Sequence, residues 1–143
     1  MDINNKVILV TGASRGIGMA IATELSDKGA IVIGTATSND GASNISKTLS
    51  SQGKRGEGMV LDVNSNDSIA NLIRVINDKY GEIQILVNNA GITKDNLLVR
   101  MKDEEWDSVL STNLTSIYKL SKSVLRSMMK SRYGKIINIS SVV

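Results

Sequence analysis

The 143-residue sequence contains no cysteine, no histidine and no proline. Without cysteine there can be no disulfide, no thiolate nucleophile and no cysteine-ligated metal. Without histidine the commonest general base and the commonest metal ligand are also missing, and no metal is expected. Proton transfer near neutral pH therefore falls to tyrosine, lysine or carboxylates with adjusted pKa values. We have no physical account of the missing proline. No stretch approaches the roughly 18 apolar residues of a membrane helix. Met1–Lys6 lacks the basic-then-apolar order of a secretory signal, so a cytoplasmic protein with no membrane partner is the default. The charge excess is small, at +3. It suits a phosphate-bearing ligand or an acidic partner and is too mild to argue for nucleic acid.

What is present is ordinary for a globular protein: 41% hydrophobic and 22% charged residues. The length is one domain's worth, and such a chain buries about 70% of its unfolded surface. Five short apolar runs stand out: "KVILVT" (6–11), "AIVIGT" (30–35), "GMVLDV" (58–63), "IQILVNN" (83–89) and "KIINIS" (135–140). They are β-branched and nearly continuous, as in parallel strands covered on both faces. Amphipathic stretches over 16–28, 39–52, 66–80 and 103–132 predict the intervening helices. Strand–helix units of about 25–30 residues imply right-handed βαβ crossovers, and hence an α/β doubly wound parallel sheet. Ligands of such sheets sit at the carboxyl ends of the strands. Here those ends read "TGAS", "TATS", "LDV", "NNAG" and "ISS".

The first of these opens "TGASRGIG", Thr11 to Gly18. Gly12 permits a sharp exit from the strand, Gly16 opens the helix where backbone must approach a ligand, and Gly18 lets that helix lie close to the sheet. Free N–H groups at a helix start suit a pyrophosphate. A plain strand-to-helix turn would need only one glycine, so three at this spacing predict a Rossmann-type dinucleotide site. After the second strand, an NAD site usually carries an acid for the ribose 2′-hydroxyl. This sequence has "GTATSN", and its first acid is Asp40, already in the next helix. Thr35, Thr37 and Ser38 offer hydroxyls and Arg15 a guanidinium, which favours the 2′-phosphate of NADP. Arg15 could equally be a solvated helix-start residue. Asp62 could accept from an adenine amino group, or serve only as a turn residue. The amides of "NNAG" (88–91) suit loop support and ligand contact equally.

The 103–132 stretch carries an apolar stripe of Trp106, Leu110, Leu114, Ile117, Leu120, Val124 and Met128, with Asn113 lying on it. An unsatisfied buried amide costs roughly 1–3 kcal/mol, so Asn113 must find a partner. It is either a helix-kinking residue satisfied by backbone or a member of a proton relay.

Taken together, "TGASRGIG", "NNAG", Asn113 in "TNLT" and the serine of "ISSVV" resemble the short-chain dehydrogenase/reductase family in order and spacing. "GTATS" and residues 88–143 are more narrowly similar to bacterial 3-oxoacyl-[acyl-carrier-protein] reductases. The resemblance implies NADPH-dependent reduction of a 3-oxoacyl thioester in fatty-acid elongation, with acyl carrier protein as partner and a homotetramer as the assembly. It implies a cofactor set of Gly12, Ser14, Arg15, Gly16, Ile17, Gly18, Thr37, Asp62, Val63, Asn89, Ala90 and Gly91. It further implies that Ser141 binds the substrate carbonyl, with Ser140 beside it, and that Asn113 anchors a relay water. The family's Tyr-x-x-x-Lys pair is expected roughly a dozen residues past that serine, at helical spacing so that both face the cleft. The sequence ends before it, so residues 1–143 read as the amino-terminal portion of a single-domain reductase, lacking its last strands and helices. This stretch alone is expected to be inactive and poorly soluble. An acetoacetyl-CoA-type reductase and a non-catalytic nucleotide-binding remnant stay open as alternatives. Tyr118 and Lys122 repeat the Tyr–Lys spacing, but Tyr118 precedes the serine and lies about 140° around an ideal helix from Asn113, so it reads as structural. Lys130, Arg132 and Lys135 are expected near the cleft rim, where Arg132 could meet the acidic carrier or simply cap a helix end.

Overall fold

The structure, a computed structural model, describes residues 2–51 and 53–140. Alternation along the strands sorts the apolar side chains into two layers. In β1 (Val7–Val10), Val7 and Leu9 join one cluster while Ile8 and Val10 join the other. Strands β2 (Ile31–Ala36), β3 (Gly56–Val60), β4 (Ile85–Asn88) and β5 (Lys135–Asn138) complete one parallel sheet in the order β3-β2-β1-β4-β5. Helices α1 (Gly16–Asp27) and α2 (Asn39–Ser50) cover one face with Ala22, Ile45 and Leu49. On the other, α3 (Asn66–Tyr80) sets Ile69, Leu72 and Ile76 beside Leu120, Val124 and Met128 of α5 (Ser116–Ser131). Every residue of β1, β2 and β4 is buried. Strands covered on both faces need no polar alternation, which accounts for their continuous apolar runs.

The chain marks its own helix starts. The Ser38 hydroxyl accepts from the Gly41 N–H at 3.1 Å to begin α2, and Ser65 accepts from Ser68 at 3.2 Å to begin α3. The strand order reverses direction at β1, between β2 and β4. The crevice that this leaves beyond the carboxyl ends of β1 and β4 is where an open α/β sheet binds ligands.

Two sequence expectations need correction. The third strand runs Gly56–Val60 rather than 58–63. Gly56, at φ 138°, lies so close to the Val32 carbonyl that a side chain would collide with it. Glycine thus lets the strand start earlier than its apolar residues suggest, and Leu61–Val63 instead form a buried-ended turn.

The helix predicted over 103–132 is two helices, α4 (Asp103–Leu110) and α5, joined by a widened π-type turn at Ser111–Thr115. That turn shifts the helical register. The buried line therefore becomes Thr112, Ser116, Leu120, Val124 and Met128, whereas Trp106, Leu110 and Leu114 are exposed. A constant 3.6-residue period cannot reveal such a shift.

Candidate functional site: the cleft between the first and fourth strands

Two turns are stapled together at the switch point. Thr11 ends β1, and its Oγ1 accepts from the backbone N–H of Asn89 (3.0 Å) and of Ala90 (2.9 Å). In return, Asn89 Nδ2 donates to the carbonyls of Thr11 (3.1 Å) and Gly12 (3.0 Å). Both amide hydrogens of Asn89 are therefore spent on support. Its neighbour Asn88 is buried and donates to Asn138 Oδ1 across the β4–β5 ladder at 2.9 Å.

The three glycines meet different demands. Gly12 turns at φ 64°, and a methyl there would lie 2.9 Å from Ala90 Cα. Gly18 packs α1 onto that turn so closely that a methyl would strike the Gly12 carbonyl and Asn89 Nδ2. Gly16 turns at φ 57° with nothing within 4 Å of its missing side chain. Its backbone faces open space at the start of α1, where Arg15 contributes no side-chain cap and the first turn holds no acid. Uncapped N–H groups at a helix start favour an anion.

A cavity of about 440 Å³ opens here, lined by Gly12, Ser14, Arg15, Gly16, Ile17, Gly18, Thr35, Thr37, Val63 and Asn89–Ile92, among others. Among the described residues its lining includes no carboxylate, and Arg15 is its one charged residue. Ser38, whose hydroxyl caps α2, is not part of that lining, whereas the exposed Thr37 is. Asp62 lies outside it. Its carboxylate accepts from the Asn64 N–H at 2.9 Å as a turn residue, while the adjacent Val63 lines the cavity.

A second cavity, about 830 Å³, shares the wall formed by Arg15, Ile17 and Asn89–Ile92 and extends to Asn113, Ile117, Asn138, Ile139 and Ser140. The two form one trough from Thr37 to Ser140. An elongated, anionic dinucleotide fits this donor set: open helix-start amides, one guanidinium and no opposing acid. Another groove, about 650 Å³ beyond β3, lies away from the glycine turn.

Asn113 sits in the widened turn with both ends of its amide hydrogen-bonded. Its Oδ1 accepts from Ile92 N and its Nδ2 donates to Ile92 O, each at 2.8 Å. The side chain thus finds its partner in backbone and clamps the loop that follows Gly91. On the far side of that loop, Glu105 Oε2 accepts from the Lys102 N–H (2.9 Å) and from Asn96 (3.3 Å). These bonds keep the Glu105 carboxyl below the usual carboxylate range.

Ser141 lies outside the described residues. Tyr118 and Lys122 stay away from the trough: they are 3.3 Å apart, oxygen to nitrogen, in a groove between α3 and α5. The cationic rim also needs correction. Arg132 ends α5 and Lys135 begins β5, at the amino end of the sheet. Asn113 precedes α5 at its opposite end, and the 16-residue helix spans about 24 Å. Periodicity gave no warning of this, because it does not say which end of an antiparallel helix meets the cleft. Sequence reasoning also assigned no role to Thr11, Ile92 or Thr112, which build the site through backbone groups or a single hydroxyl.

The description of the short chain dehydrogenase family matches residues 6–143. The chain belongs to that family. Membership implies a nicotinamide coenzyme. Among its relatives, the 3-oxoacyl-[acyl-carrier-protein] reductase FabG of Haemophilus influenzae is 61% identical over 141 residues, covering 99% of this chain and 57% of the relative. The reductase of the same name from Pseudomonas aeruginosa is 60% identical over 143 residues, covering 100% and 58%. That of Escherichia coli is 56% identical, covering 100% and 57%. The chain thus spans less than two thirds of the length of these curated relatives. Among the described residues, no helix is long and apolar enough to cross a membrane.

Proposed function

We propose that this family member works in the cytoplasm as an NADPH-dependent reductase of 3-oxoacyl groups held as thioesters on acyl carrier protein, and that residues 1–143 supply the coenzyme-binding part of its single Rossmann-type domain. The observation that carries the reading is the trough itself: an open, acid-free glycine turn stapled to the Asn89–Ile92 loop. The names of the relatives supply the substrate class.

In this reading the bound coenzyme supplies hydride, and the protein's own groups bind and orient. The amides of Gly16 to Gly18 and the hydroxyl of Ser14 hold the pyrophosphate, and Ile17 covers it. Arg15 and Thr37 meet the 2′-phosphate, where a carboxylate would repel it. Asp62 and Val63 bound the adenine side, with Asp62 acting through its turn. Asn89, Ala90 and Gly91 line the ribose side. Asn113 fixes the Ile92 carbonyl, so that a water could bridge from it, and Ser141 receives the substrate carbonyl. Tyr118 takes no part. A homotetramer belongs to the same reading, supported by exposed large apolar side chains: Leu98, Val99, Trp106, Leu114 and Met129.

Titration of the protein with NADPH and NADH, followed by coenzyme fluorescence, tests this. NADPH is expected to bind at least about tenfold more tightly, and Arg15→Ala to remove most of that preference. Equal affinities, or an Arg15→Ala loss shared equally by both coenzymes, refute the NADP assignment. Reduction of an acetoacetyl thioester on acyl carrier protein, followed by loss of NADPH absorbance, tests the substrate.

A further inference from the structure

Asn64 bridges two segments that the sequence keeps far apart. It lies in the turn after β3, one residue beyond Val63 of the cleft. Its Oδ1 accepts from the Ser111 hydroxyl at 2.8 Å, and its Nδ2 donates to Thr112 Oγ1 at 3.2 Å. Its own N–H is held by Asp62 Oδ1 at 2.9 Å. Ser111 and Thr112 open the widened turn, Thr112 is buried in the wall of the cleft, and the next residue, Asn113, clamps Ile92. One exposed amide therefore ties the Val63 wall of the trough to the wall formed by Thr112, beside the Asn113–Ile92 clamp. On the amino side of the widened turn, α4 contributes no buried residue to anchor it.

We infer that Asn64 is a positioning residue that sets the spacing between two walls of the coenzyme cleft, Val63 on one and Thr112 with Ile92 on the other. The inference rests on the coenzyme reading above. A ligand gripped between both walls senses their spacing, whereas a ligand held against one wall does not. Because Asn64 is exposed, its truncation leaves the core intact and changes only the tie.

Calorimetric titration of wild type and Asn64→Ala with NADPH and with 2′,5′-ADP, the half that meets the Val63 wall only, separates the possibilities. NADPH affinity is expected to fall about five- to tenfold and 2′,5′-ADP affinity by less than about twofold. In Ser111→Ala/Thr112→Val, the further change Asn64→Ala should add almost nothing. Hydrogen exchange of the ligand-free protein should be faster in Asn64→Ala at the Ile92 amide and unchanged in β1 and β2. Equal losses for both ligands, no loss for either, or an unaltered Ile92 exchange rate overturns the positioning role. If wild type binds neither ligand, the coenzyme reading fails instead, and the exchange arm alone decides whether Asn64 holds the turn.

Discussion

At one edge of the sheet, β3 carries Gly56, Glu57 and Gly58; at the other, Ile137 in β5 and Ile139 just beyond it are 46% and 37% exposed. The β3 edge is closed by its neighbours. Ser46 of α2 accepts from the Gly58 N–H at 2.9 Å, and the Glu57 carboxylate is bound by Lys79 and by the Tyr80 hydroxyl. No described side chain hydrogen-bonds the backbone of β5. Edge strands left apolar and unpaired recruit further strands, and charged or covered ones do not. The contrast extends to the helices: α1–α3 each bury a face, while α4 buries no residue. One edge of the sheet is covered by its own neighbours, and the other leaves apolar side chains exposed.

The largest expected effect compares the two sides directly. Leu9→Ala, at a site with no exposure, should cost about 2–5 kcal/mol in chemical denaturation. Leu98→Ala, at 79% exposure, should stay within about 0.5 kcal/mol. A cost at Leu98 that rises with protein concentration would mean that another copy covers the exposed side.

Next in size is self-association of a polypeptide of residues 1–143. Ile137→Lys on β5 should lower its light-scattering mass severalfold, because a lysine on an edge strand opposes pairing. Val60→Lys on β3 should leave that mass unchanged. Equal responses at both edges would remove the distinction.

The smallest effect concerns the closed edge alone. Burial pushes the Glu57 carboxyl up, but hydrogen bonds from Lys79 and Tyr80 outweigh it and hold the pKa below the ordinary value of 4.5. A carboxylate with a depressed pKa stabilises the fold above its unfolded value, and that stability is lost as pH falls through the folded value. Wild type should therefore lose more stability than Glu57→Gln on acidification below about pH 5, by under about 1 kcal/mol. An identical acid dependence would show that the Lys79 and Tyr80 contacts contribute nothing.

The strand–helix alternation, the glycine turn and the covered strands were all legible, because each depends on local residue chemistry. Gly12, Gly16 and Gly18 announced a close approach without saying to what. The structure reveals three different neighbours: Ala90, open space and the Gly12 carbonyl. Asn113 was visible as an amide out of pattern, yet its partner, Ile92, lies 21 residues away and offers only backbone. The cationic cluster at Arg132 was misplaced because helix direction relative to the sheet follows from topology.

By itself, the amino-acid order determined the parallel α/β architecture, the glycine-lined turn and the absence of any acid at the end of the second strand. These follow from short-range sterics, periodicity and charge. Tertiary structure alone decided the register shift at Ser111–Thr115, the stapling of Thr11 to Asn89 and the bridge from Asn64 to Ser111 and Thr112. Each is a hydrogen bond or packing choice between residues distant along the chain, and it has no counterpart in local propensity.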